Sequence, residues 1–123
     1  YRPRPMLQKA LSMLQPAEMD AWMRATWSDI RGASLRDGHP APFPVELAER
    51  LIRLFSFAGE TVLDPFAGSG TTAAAAIRTG RNSISVEIEG EYVALAEGRL
   101  SMETRSQSKK GVTAPVAMLT VER

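Results

Sequence analysis

The stretch VLDPFAGSGTTAAAA, residues 62–76, decides how the chain is read. Val62 and Leu63 open it as a short apolar strand that ends at Asp64. Pro65 and Phe66 interrupt the run, and Gly68-Ser69-Gly70 leads into Thr71, Thr72 and an alanine run of strong helix propensity. A strand, a glycine turn and a helix N-terminus in that order make a ligand site. In open α/β sheets ligands lie beyond the carboxyl ends of the parallel strands, and glycine lets the backbone approach them closely.

Downstream, the helix stops at Gly80, and NSISVEI (82–88) carries β-branched residues at alternate positions, as a strand does. Residues 91–100, with Tyr92, Leu95, Ala96 and Leu100, read as a second helix. The order strand, helix, strand, helix predicts an α/β fold with parallel strands and right-handed crossovers. Upstream, HPAPFP (39–44) is a stiff, extended strip, after which Pro44 opens a helix ending near Phe57. Leu47, Leu51, Leu54 and Phe55 form its expected core face, with Glu46, Glu49, Arg50 and Arg53 mostly on the other. Met19, Trp22 and Met23 recur at helical spacing behind Pro16, which predicts a helix from Ala17 to Thr26 with that stripe in the core. SMETRSQSKKGVTA (101–114) is polar and reads as a flexible linker before a terminal strand in PVAMLTV. Three regions follow: a lead-in at 1–38, an α/β ligand-binding region at 39–100, and a polar linker with a terminal strand at 101–123.

A chain of 123 residues suits one small domain. The absence of cysteine excludes disulfides, thiolate zinc sites and cysteine nucleophiles, and a solitary His39 argues against a histidine metal site. No apolar run approaches the roughly 18 residues of a membrane span, and the start YRPRP lacks the apolar part of a signal peptide, so a cytoplasmic protein away from membranes is expected. A net charge of +1 gives no strong field toward polyanions, so a nucleic acid would be held by local clusters or by a second polypeptide. The first residue is tyrosine, as expected of a piece of something longer.

Gly68-Ser69-Gly70-Thr71-Thr72-Ala73 fits the G-x-G-x-x-G/A fingerprint, and Glu87 lies near the spacing of about 20 residues expected of an acid that grips ribose hydroxyls. No lysine follows the second glycine, which excludes a phosphate-cradling Walker loop. Asp64 discriminates among adenosine ligands. A carboxylate at the start of the turn repels a pyrophosphate, whereas the ammonium and sulfonium of S-adenosylmethionine are attracted to it. Charge therefore favours the sulfonium cofactor, with the nicotinamide-binding half of an oxidoreductase as the rival.

With these residues in view, the chain resembles the C-terminal part of the DNA amino-methyltransferases, which modify adenine N6 or cytosine N4. The resemblance runs from about Trp27 to Leu100. HPAPFP is similar to the family's motif X, DPFAGSGTT (64–72) to its motif I, and ISVEI (84–88) to its motif II. Their order resembles the permuted beta group. The resemblance implies a partial Rossmann-like methyltransferase fold, S-adenosylmethionine as cofactor, double-stranded DNA as partner and membership of restriction-modification enzymes. It implies that Asp64, Phe66, Ala67, Gly68, Ser69 and Gly70 surround the methionine and adenosine portions of the cofactor, with Thr71 and Thr72 supporting the loop and the helix start. Glu87 would hold the ribose hydroxyls, Ile88 would neighbour adenine, and His39, Pro40, Ala41 and Phe43 would cover the methionine end. The lead-in would hold the end of a target-recognition region.

The family's catalytic motif, an Asp, Asn or Ser followed by Pro-Pro and an aromatic residue, occurs nowhere in the 123 residues. That motif positions the flipped base in line with the methyl group, and a base inside the duplex cannot reach it. The expectation is therefore a cofactor-binding part that does not transfer the methyl alone and has no catalytic residue of its own. An exposed apolar edge of its sheet would be covered by the missing catalytic half or by a second copy; a non-catalytic binding module is the other alternative.

Overall fold

The computed structural model describes residues 5–33, 42–108 and 116–120. Its centre is a three-stranded parallel sheet of β1 (Thr61–Asp64), β2 (Asn82–Glu87) and β3 (Val116–Thr120), in the spatial order β1-β2-β3. Thr61 pairs with Asn82 and Asp64 with Ser85, while Ser83 pairs with Val116 and Glu87 with Thr120. This is the expected α/β arrangement of parallel strands with flanking helices.

Helix α1 (Met6–Leu11) precedes α2 (Pro16–Trp22) and α3 (Val45–Phe55); α4 (Thr71–Arg78) links β1 to β2, and α5 (Gly90–Ser108) links β2 to β3. The side chains of Ala73 to Ile77 are all buried, so α4 is enclosed all round. Ala48 and Ile52 of α3 meet Ala75 and Ala76 on one side, with Val62 of β1 at the edge of the cluster. Leu100 of α5 meets Ala73, Ala74 and Ile77 on the other. Beneath α4, β2 presents Ser83 and Ser85, both buried and neither hydroxyl hydrogen-bonded. Small side chains on both surfaces let helix and sheet approach closely, and each unbonded hydroxyl detracts from that gain.

The three long helices cover a single face. Leu63 points the other way and is 63% exposed, and its β2 neighbours Ile84 and Val86 are only half-buried. A parallel sheet is ordinarily covered on both faces. Ahead of β2, buried Arg81 donates to both the carbonyl and the hydroxyl of Ser56 and to the Thr79 carbonyl. These bonds tie the ends of α3 and α4 together, and burial pushes the guanidinium below its ordinary pKa.

Several expectations need correction. The face of α3 given by Leu47, Leu51, Leu54 and Phe55 does not enter the core; Phe55 is 80% exposed, and Ala48 and Ile52 are buried instead. Arg50, expected on the polar face, is 5% exposed, because it lies between the rings of Trp22 and Trp27 at 5.6 and 5.5 Å and is paired with Asp29 and Glu46. Helix α2 ends at Trp22 rather than Thr26, and Met19 and Met23 are exposed. Of the predicted stripe only Trp22 is engaged, against the two arginines of α3. Residues 101–108 continue α5 and are no linker: Met102, Glu103, Arg105 and Gln107 are good helix formers, Glu103 pairs with Arg78, and Gln107 is buried. Helix α1 was not anticipated; it docks through Gln8 Nε2 to the Ala58 carbonyl at 2.9 Å and the Ala58 N–H to Ser12 Oγ at 2.7 Å.

The lead-in is thus clasped to α3 by charge. Glu18 is held below its ordinary value of 4.5 mainly by hydrogen bonds from Arg53, and Asp29 below 3.8 by Arg50. A carboxylate whose folded pKa is depressed adds stability above its unfolded pKa and loses it as pH falls through the folded value. Tryptophan emission should therefore hold steady between pH 8 and about pH 5 and shift red below about pH 4, as Trp22 and Trp27 lose Arg50 and Arg53. High salt should bring the shift to higher pH, because both pairs are partly solvated.

Candidate functional site

The site is assembled where β1 and β2 end. Asp64 closes β1 and accepts the Phe66 N–H on Oδ1 at 3.0 Å, a bond that turns the chain out of the strand. Ala67 then donates its N–H to the Val86 carbonyl at 3.0 Å, and Gly68 to Glu87 Oε2 at 2.7 Å. Glu87 Oε1 accepts the N–H groups of Ile88 and Glu89 at 2.8 and 3.0 Å. One buried carboxylate thereby organises the glycine turn and the exit from β2 together. Gly70 donates to the Ala67 carbonyl at 2.9 Å and closes the turn as α4 begins.

Gly68 and Gly70 have φ of +51° and +76°, in the left-handed region that disfavours other residues. Gly70 has a second reason to be glycine: a Cβ there would stand 3.0 Å from the Ala96 Cβ of α5. Ala67, Ser69 and Thr71 are buried in this turn. Phe66, 88% exposed, and the exposed Ile88 flank it on the open side. Thr72 is turned toward α3, where it borders an apolar groove of about 790 Å³ with Phe43, Leu47, Leu51, Phe55 and Val62. His39, Pro40 and Ala41 lie outside the described residues.

The structure therefore brings Asp64, the turn 66–71, Glu87 and Ile88 to one end of the sheet. It sets Phe43 and Thr72 at the groove. Sequence reasoning missed that Glu87 bonds to the glycine loop and that Ala96 and Arg99 of α5 back it; Arg99 reaches Thr71 from the next helix. The only available signal was their i, i+3 spacing on α5, which is also the spacing of ordinary packing residues.

A family model described as DNA methylase, of the N6- and N4-methyltransferases, matches residues 4–98. The chain belongs to this DNA methylase family. It is 42% identical over 90 residues to the type II methyltransferase M.MthZI of Methanothermobacter thermautotrophicus, covering 68% of this chain and 25% of that protein. It is 37% identical over 111 residues to M.MjaI of Methanocaldococcus jannaschii, covering 85% and 35%. Among solved structures, TTHA0409 of Thermus thermophilus, described as a DNA modification methylase and solved in complex with S-adenosyl-L-methionine, superposes with a TM-score of 0.76 at 42% identity, over 96% of this chain and 44% of that one. The cytosine-N4-specific PvuII DNA methyltransferase superposes at 0.53 and 26% identity, over 84% and 43%. The chain thus spans about a quarter to a third of the length of these curated relatives.

The crowding at Gly70 is testable within this family framework. Gly70→Ala should cost roughly 1–3 kcal/mol by denaturant titration, from the positive φ and the Ala96 contact. Gly98→Ala, at a position of α5 where an added Cβ would meet nothing beyond its own stretch of helix within 4 Å, should instead stabilise by roughly 0.5–1 kcal/mol, as an ordinary helix-interior substitution.

Proposed function

We propose that this chain is the cofactor-binding part of a DNA methyltransferase that moves a methyl group from S-adenosylmethionine to the exocyclic amino group of adenine (N6) or cytosine (N4). In this reading the base-positioning residues lie outside the 123 residues and the chain alone transfers nothing. The observation that carries it is the Asp64 carboxylate. It stands at the mouth of a glycine turn, bonded to the Phe66 N–H, and no lysine or arginine among the described residues forms an ion pair with it. A carboxylate so placed suits a cationic adenosyl ligand and opposes a pyrophosphate.

The cofactor supplies an electrophilic methyl group on a sulfonium. The residues of this chain bind and orient: Asp64 faces the cationic portion, the turn from Phe66 to Gly70 lies against the ligand, Glu87 offers carboxylate oxygen toward ribose hydroxyls, and Ile88 gives adenine an apolar wall. The resemblance to the family would assign His39, Pro40, Ala41 and Phe43 to the methionine end and Thr71 and Thr72 to support of the loop. Holding the methyl in line with an amino nitrogen converts the transfer to an effectively intramolecular step once the base is extruded.

Calorimetry should detect S-adenosylmethionine binding and no NADH binding, and Asp64→Asn should weaken it roughly ten- to a hundredfold, the range for losing a charged hydrogen-bonding partner. NADH binding in its place would favour the oxidoreductase reading. Methyl incorporation into DNA should require addition of a polypeptide carrying the Pro-Pro-aromatic motif; continued inactivity would favour a non-catalytic binding module.

The same reading assigns partners. The open sheet face at Leu63, Ile84 and Val86 and the groove beside α3 are covered by the remainder of the enzyme or by a second copy, and double-stranded DNA is the substrate. Light scattering on the isolated chain should show self-association that declines when the complementing polypeptide is added. A monomer with a sharp unfolding transition would overturn the assignment of a covering partner.

A further inference from the structure

We propose that Arg99 is a positioning residue for the cofactor loop, acting from α5 through Thr71 and Ser69. This inference rests on the reading of that loop given above and adds a residue on the helix behind the loop. The Arg99 guanidinium donates through Nη1 to Thr71 Oγ1 at 3.0 Å and to the Ser69 carbonyl at 3.4 Å. Both acceptors are buried, and they bracket Gly70, the residue at which the turn becomes helix.

Like Arg81, Arg99 is held by neutral acceptors among the described residues. Arg50, Arg53 and Arg78 each pair with a carboxylate, whereas no carboxylate among the described residues forms an ion pair with Arg99. A cation at the first turn of a helix also works against the helix dipole, so α4 gains nothing from its charge. What the guanidinium gains is the pair of bonds to the turn. One helical turn earlier on α5, Ala96 stands where a Cβ on Gly70 would meet it at 3.0 Å. Ala96 therefore fixes how near the loop comes to α5, and Arg99 fixes the orientation of the Ser69 peptide and the Thr71 side chain.

The test compares Arg99→Ala, Arg99→Lys and Thr71→Val in the full chain by amide hydrogen exchange, thermal unfolding and calorimetry with S-adenosylmethionine. Arg99→Ala should speed exchange at Ser69 to Thr72 about tenfold, leave β2 and α3 protected, and weaken cofactor binding several-fold with little change in the thermal midpoint. Arg99→Lys should restore part of both effects, and Thr71→Val should add little to Arg99→Ala, since the two share one interaction. Unchanged loop exchange, acceleration of all amides together, or additive effects of the two substitutions would overturn the proposal. If Arg99→Ala unfolds, the same readings on Arg99→Lys and Thr71→Val decide it. Failure of the unsubstituted chain to bind S-adenosylmethionine would overturn the cofactor reading, and the exchange data, which need no ligand, would still decide the role of Arg99 on the turn.

Discussion

The bond from the Gly68 N–H to the Glu87 carboxylate, at 2.7 Å, joins the turn after one strand to the end of the next. The neighbouring bond from Ala67 to the Val86 carbonyl does the same through the backbone. The glycine turn therefore belongs to two strands at once, and its geometry depends on the parallel register that puts Asp64 beside Ser85. A slip of one residue would turn Glu87 to the other face and leave the Gly68 N–H without its acceptor. The register, the positive φ angles and the burial of Glu87 are aspects of one constraint.

That constraint is supported from behind by a thin helix. Because Ala73 to Ala76 put alanine on every side of α4, α3 and α5 both approach it and the sheet lies beneath it. This layering brings α5 near enough for Ala96 and Arg99 to reach the turn. The opposite face of the sheet has no comparable cover among the described residues, and the exposed Leu63 is its clearest mark. A domain that buries one face of a parallel sheet has solved half of its packing problem.

The central strand, turn, helix and strand were legible because each carries strong local chemistry: glycines where φ is positive, an alanine run, and β-branched alternation in β2. Asp64 and Glu87 could be placed at strand ends for the same reason. The orientation of α3 was not legible. Periodicity marked Leu47, Leu51 and Phe55 as the buried side, yet Ala48 and Ile52 are the side chains whose size suits the alanine surface of α4. Arg50 looked like a surface cation because Trp22, Trp27 and Asp29, which enclose it together with the nearby Glu46, are more than 20 residues away in sequence. The polar composition of 101–108 hid a helix continuation held by Glu103 and Gln107 against elements that composition does not reveal.

Enclosure on all sides leaves α4 little freedom to vary. At Ala73 to Ala76 a bulkier side chain would wedge apart two helices and tilt the glycine turn they carry, so sequence drift there is restricted by steric fit alone, all four side chains being fully buried. A survey of tolerated substitutions would find this short run as intolerant as the glycines before it, and would mark an inert spacer as if it were part of the binding surface.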